Sequence, residues 1–183
     1  MKYLKIIGAF LIGALLTLST GAQAQKLISQ NWVVDLNGQK NEAFTANDSK
    51  SSFGVFCSGE KCLFYLHQAL KCDPGAKYSV LMNSQAVSTA LSMECTQIGG
   101  NLFQILDPFE AVLKATQTGE MIGFAVALQS GAFAVTRFSL VGAKPAIERA
   151  LLEAAKSKFR DQKPPLENPQ NTTPKSTLKD IAI

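Results

Sequence analysis

Four cysteines, Cys57, Cys62, Cys72 and Cys95, are the whole cysteine complement of this chain, and they crowd into one stretch of it. What they can do depends on the compartment, and the N-terminus points to one. Lys2 and Lys5 form a basic start, Ile6 to Leu18 is a run of 13 apolar or small residues, and Ala22-Gln23-Ala24 supplies small side chains at a cleavage point. That order is the signature of a secretory signal, residues 1–24, cut between Ala24 and Gln25. A membrane anchor would need about 20 apolar residues. Gln25, rather than a cysteine, follows the cut, which argues against lipid attachment. No later segment is long and apolar enough to span a bilayer, so no transmembrane segment is expected after signal removal.

Export carries the cysteines where thiols oxidise. An even number in a compact cluster reads as two disulfides with three possible pairings. The competing zinc site is disfavoured, because C-x4-C-x9-C-x22-C lacks the closely spaced C-x2-C pairs of common zinc modules. The expected pairing is Cys57 with Cys62 and Cys72 with Cys95. The first two flank a four-residue turn, Ser58-Gly59-Glu60-Lys61, and the last two flank the hairpin that turns near Ser84 to Ala86. The rival is Cys57 with Cys95 and Cys62 with Cys72.

Between Trp32 and Leu140 the chain reads as β. Short runs rich in Val, Phe, Ile, Leu, Thr and Tyr are separated by turn residues at intervals of roughly 8 to 12 residues. The expected strands are Asn31–Leu36, Phe53–Cys57, Cys62–Leu66, Lys77–Met82, Val87–Cys95, Phe103–Leu106, Ala111–Thr116, Met121–Leu128 and Ala132–Leu140. Glu110 to Thr116 reads equally as one helical turn, and Glu42 to Ser52 reads as a polar connection. From about Lys144 to Arg160 the period changes. Pro145 suits a first helical position, and Ile147, Leu151, Ala154, Ala155, Lys158 and Phe159 share a helical face. Glu148 is expected in the first turn and Lys156, Lys158 and Arg160 in the last, matching the helix dipole. This helix is read as a cover for the sheet, with a partner-binding helix as the alternative. Beyond it, Pro164, Pro165, Pro169 and Pro174 stand among polar residues that bury too little to offset ordering entropy. The expectation is therefore a mainly β chain, an antiparallel β-sandwich or barrel-like domain over 25–160 with one C-terminal amphipathic helix, followed by a disordered proline-rich tail over 161–183.

The chemistry-bearing residues are sparse. His67 is the only histidine, and it follows a strand end with no G-x-S-x-G nucleophile motif to accompany it. The carboxylates Asp35, Glu42, Asp48, Glu60, Asp73, Glu94, Asp107, Glu110 and Glu120 are scattered, mostly at turns; a glycosidase needs two held across a cleft. No phosphate loop, dinucleotide fingerprint, EF-hand or H-E-x-x-H is present, so no cofactor, metal or catalytic residue is expected. Arg137 interrupts an apolar strand and is read as an outward residue or one lining a binding groove. Asn47-Asp48-Ser49 and Asn171-Thr172-Thr173 match glycosylation sequons. The whole chain carries a net charge of +4, two of it from Lys2 and Lys5, and no basic stripe points to nucleic acid.

The early Trp32 strand, Cys57 and Cys62, the later Cys95, the closing Ser139-Leu140-Val141-Gly142 and the alanine-rich Ala146 to Ala155 together resemble the invasion-associated locus B family of bacterial exported proteins, over about Trp32 to Ala155. The resemblance implies a β-sandwich-like periplasmic or secreted protein linked to host-cell entry or envelope fitness, and it carries over no catalytic residue. The expected function is a non-enzymatic exported binding protein with protein partners in the cell envelope. The alternatives are an accessory or chaperone-like subunit of a secretion machine, and a small periplasmic hydrolase using His67 or a carboxylate pair.

Overall fold

The structure, a computed structural model, describes residues 25–98, 100–128 and 130–161, the last five of these by backbone alone. The signal segment and the proline-rich tail beyond Asp161 lie outside the described residues.

Ten strands form one antiparallel sheet: β1 (Gln25–Ser29), β2 (Trp32–Asn37), β3 (Lys40–Ala46), β4 (Ser52–Ser58), β5 (Lys61–His67), β6 (Lys77–Ser84), β7 (Ser88–Ile98), β8 (Asn101–Asp107), β9 (Met121–Ala127) and β10 (Phe133–Ser139). Two helices join them, α1 (Phe109–Ala115) between β8 and β9, and α2 (Ala143–Asp161) after β10. The spatial order is β1-β2-β3-β4-β5-β8-β7-β6-β9-β10. Two meanders therefore meet at the β5–β8 pair, and the β9–β10 hairpin adds to β6. The mainly β architecture expected from the sequence is present as a single sheet curled into a half-barrel.

The period-2 alternation of β explains the curl's two faces. Trp32, Val34, Phe53, Val55, Phe64, Leu66, Val80, Met82, Leu91, Met93, Leu106, Ile122, Phe124 and Phe138 point into the concave side and are buried. The core is aromatic at its centre: Phe53 stacks on Phe64 at 6.0 Å and meets Trp32 edge-on at 5.8 Å, with Phe124 at 5.2 Å and Phe138 at 5.7 Å. Helix α2 closes the concave side over β2, β3 and β4. Its buried stripe is Ala143, Ala146, Ile147, Ala150 and Ala154; the small side chains let the helix lie close on the sheet. The stripe is core, not a partner-binding face. Ala155 is exposed rather than buried. The helix begins at Ala143, so Pro145 is its third residue, still where an N–H has no intrahelical acceptor. Glu148 falls outside the first turn, which holds no acid.

Three further points depart from the sequence reading. Ala111–Thr116 is not a strand: Phe109, Val112 and Ala115 recur at helical spacing and pack inward in α1. Glu42–Ser52 is not all connection, since Lys40–Ala46 is a central strand. Gln25–Ser29 forms an edge strand the sequence reading passed over. Both expected disulfides are present, Cys57–Cys62 across the directly opposed residues of β4 and β5, and Cys72–Cys95 tying the loop after β5 to β7. That loop curls back through Asp73-Pro74-Gly75 and hydrogen-bonds alongside β7, Gly75 N to Cys95 O at 2.7 Å and Cys95 N to Ala76 O at 2.9 Å.

The half-barrel is drawn together by three side-chain bonds and one backbone bond rather than by a strand ladder. Trp32 Nε1 donates to Ser139 O at 2.9 Å, Asn47 Nδ2 to Arg137 O at 3.2 Å, Asn31 N to Val141 O at 3.3 Å, and Ser29 Oγ to Gly142 O at 3.1 Å. The first two occupy carbonyls of the β10 edge, which would otherwise be a template for another strand, and the other two occupy carbonyls just beyond its end. Gly142 makes the turn from this edge into α2 at φ +90°, and a Cβ there would run into the Ser29 carbonyl oxygen. Gly142→Ala is therefore expected to cost about 1–3 kcal/mol, the usual range for forcing a side chain into such a conformation. A denaturant melt checks it; an unchanged midpoint would mean the turn is not built this way.

Candidate functional site

The concave side is not filled to its end. Where the Cys72-tethered loop faces the β9–β10 turn, a cavity of about 570 Å³ opens between Leu70, Lys71, Cys72 and Asp73 on one wall and Val126, Ala127, Leu128 and Ser130 on the other. Tyr78, Met93 and Gln104 form its floor. The size lies within the range of small-molecule pockets, roughly 300–1,000 Å³.

Its polar groups converge. Gln104 sits on β8 between the inward positions of Leu102 and Leu106, so strand alternation turns it into the core, where it is 1% exposed. Its Nε2 reaches only the Cys72 Sγ, at 3.7 Å, and its Oε1 is buried with no hydrogen-bond partner among the described residues. A buried amide oxygen left unpaired costs about 1–3 kcal/mol. The terminal torsion of a glutamine is soft, so the oxygen can be turned toward a donor placed in the cavity. Tyr78, at the floor, accepts a hydrogen bond from Asp73 N at 3.2 Å through its hydroxyl oxygen; the hydroxyl proton can be given to an acceptor in the cavity. The Cys72–Cys95 disulfide fixes the wall that carries Lys71 and Asp73. The arrangement offers an apolar body contact from Leu70, Met93, Val126 and Leu128, one acceptor and one donor at the floor, and a charge of each sign on the wall.

The other residues singled out from the sequence lie elsewhere. His67 is on the convex side, where its ring packs on Phe103 at 5.0 Å and its Nδ1 lies 2.8 Å from Leu102 O. It is thus held partly buried by a ring and a carbonyl. Asp35 and Glu42 are brought directly opposite each other across β2 and β3. Glu42 accepts the Tyr65 hydroxyl at 2.5 Å. Burial raises the Glu42 carboxyl above its ordinary value, partly opposed by that hydrogen bond, and nearby Asp35 raises it further. Burial, then the Glu42 charge, push the Tyr65 hydroxyl far above its own. Glu94 pairs with Lys77 at 3.7 Å on an exposed surface, while Glu110 lies in the first turn of α1. Arg137 is exposed on β10, facing out opposite Gly123, and with Leu81, Met121 and Val135 it borders a shallow convex depression of about 330 Å³. Among the described residues no group of His, Cys, Asp and Glu could hold a metal ion, and no helix is long and apolar enough to cross a membrane.

Of the residues that carry the family resemblance, Trp32 and Ser139 meet at the β10 edge, while Cys57, Cys62 and Cys95 lie on β4, β5 and β7. The cavity's key polar residues, Tyr78 and Gln104, were not singled out by sequence reasoning. The signal that would have found Gln104 is its place in Leu102-x-Gln104-x-Leu106, where period 2 puts an amide among inward leucines. No family model, curated protein or solved structure matches the chain.

Proposed function

We propose that this chain is an exported, non-catalytic binding protein whose ligand is a small amphipathic molecule held in the cavity beneath the Cys72 loop. The observation that carries the reading is Gln104: a buried amide oxygen without a partner, in the floor of a cavity of ligand size. A ligand donor would satisfy that oxygen, and its apolar body would replace water against Met93, Val126 and Leu128. Two disulfides and the export signal support an oxidising, extracytoplasmic setting, in the periplasm or outside the cell. The resemblance to the invasion-associated locus B family adds a role in envelope fitness or host-cell entry, in which the bound molecule or a protein partner of the envelope would be the point of contact.

The experiment compares wild type with Gln104→Leu. Removing a buried unpaired amide for an apolar side chain of similar volume should leave stability unchanged or raise it by about 1 kcal/mol. Binding of small amphipathic compounds found by a thermal-shift screen should fall at least about tenfold, a loss of about 1.4 kcal/mol. A variant that is destabilised and still binds as wild type does would overturn the reading, since Gln104 would then serve the fold alone.

A further inference from the structure

We propose that the convex side carries a second site, formed by Glu42, Tyr65 and Phe103, that takes a small quaternary ammonium cation. Strand alternation puts Glu42 of β3, Phe56 of β4, Leu63 and Tyr65 of β5, and Phe103 and Ile105 of β8 on the same outer face. Together they line a cup of about 200 Å³, separate from the concave cavity and smaller than it. Its contents are unusual for an outer face: three apolar aliphatic side chains, three rings and one carboxylate.

The rings of Tyr65 and Phe103 stand nearly perpendicular, at 83°, with centroids 5.4 Å apart. Two rings at a right angle form a corner in which a cation can meet aromatic π-density, and such contacts strengthen as water is excluded. The carboxylate supplies the opposite charge. Among the described residues no lysine or arginine pairs with Glu42; its partner is the Tyr65 hydroxyl. Directly across β2 stands Asp35, a second acid. Like charges in directly opposed strand positions are unfavourable, and Lys26 of β1 lies opposite Asp35 on its far side rather than beside Glu42. A cation in the cup would relieve both the burial of Glu42 and its repulsion from Asp35. Burial and, less strongly, Asp35 raise the Glu42 carboxyl above its ordinary value, and a cation beside it would favour the carboxylate. The apolar lining favours a methylated ammonium over a hydrated ammonium or metal ion, because the methyl groups lose little on leaving water. The cup's size favours a headgroup over a large molecule.

The test titrates the signal-free protein with choline and with its uncharged isostere 3,3-dimethylbutan-1-ol, following backbone and side-chain NMR shifts. Choline should give saturable shifts at Tyr65, Phe103 and Glu42 in the millimolar range, and the isostere should bind at least about tenfold more weakly. Glu42→Gln keeps an acceptor for the Tyr65 hydroxyl and should weaken choline about tenfold. Phe103→Leu, which keeps apolar bulk and removes one ring, should weaken it too. No saturable choline binding to wild type would overturn the proposal, as would equal binding of the isostere or unchanged binding by both variants. Because the cup and the Gln104 cavity lie on opposite faces, Gln104→Leu should leave choline binding intact.

Discussion

Trp32→Ala is expected to cost about 3–5 kcal/mol, the range for deleting a large buried aromatic, and to be the most damaging single substitution in the chain. Trp32 is fully buried, and it does two jobs at once. Its ring packs edge-on against Phe53 at the centre of the aromatic core. Its indole N–H occupies the Ser139 carbonyl on the β10 edge, one of the few bonds that hold the two ends of the sheet together. Trp32→Phe separates these roles: it keeps a ring, removes the donor, and should cost a smaller amount, about 1–3 kcal/mol for the carbonyl left unpaired. Guanidinium melts of the three proteins check the order. A cost for Trp32→Phe equal to that of Trp32→Ala would mean that the edge bond, not ring packing, dominates. A negligible cost for both would mean the half-barrel is not closed at this point.

Replacing Cys72 and Cys95 together with alanine is expected to lose about 3 kcal/mol, from the loop-closure entropy that a cross-link spanning 23 residues removes from the unfolded chain. The same pair of changes at Cys57 and Cys62, which are separated by only 5 residues, should lose closer to about 2 kcal/mol in that account. Alanine is the suitable replacement because Cys57 and Cys95 are buried, and a hydroxyl there would add an unpaired polar group. The functional consequences should differ more than the stabilities. Cys72 anchors the wall that carries Leu70 to Asp73, so ligand affinity at the concave cavity should fall with the Cys72–Cys95 pair and survive loss of the other. Melts and binding titrations on the two double variants decide this. Equal loss of binding in both would detach the disulfide from the cavity.

The sequence made much of this fold legible, and its blind spots have physical causes. Strands such as Val87–Cys95 and Phe53–Cys57 announce themselves because bulky apolar residues alternate or run together. In β3 the alternation is inverted. Asn41, Ala43 and Thr45 face inward and are buried, while Glu42 and Phe44 face out. The inward polar groups are tolerated because Thr45 Oγ1 donates to Asn31 O at 2.8 Å and Asn41 Nδ2 reaches Gly38 O at 3.5 Å. Ala43 is small because α2 lies over this strand. A strand whose inward side is polar and small cannot be told from a loop by hydrophobicity. The α1 segment misleads in the opposite way: Val112, Leu113 and Thr116 are at home in strands, and only the spacing of Phe109, Val112 and Ala115 betrays the helix. The candidate site was half visible. Cys72 and Asp73 stood out through the disulfide and the turn. Tyr78 and Gln104 did not, since the curl that brings β6, β8 and the Cys72 loop around one cavity depends on the β5–β8 and β6–β9 pairings, which join strands far apart in sequence.

The most direct test of the central claim, that the cavity beneath the Cys72 loop is a ligand site built around Gln104, is a crystallographic soak of the signal-free protein with a library of small amphipathic fragments. The account predicts that bound fragments concentrate in this cavity, with a donor roughly 2.7–3.2 Å from the Gln104 side-chain oxygen and an apolar portion against Met93 and Val126. A cavity that holds only water, or is closed by the Leu70–Asp73 wall while fragments bind elsewhere, would contradict it.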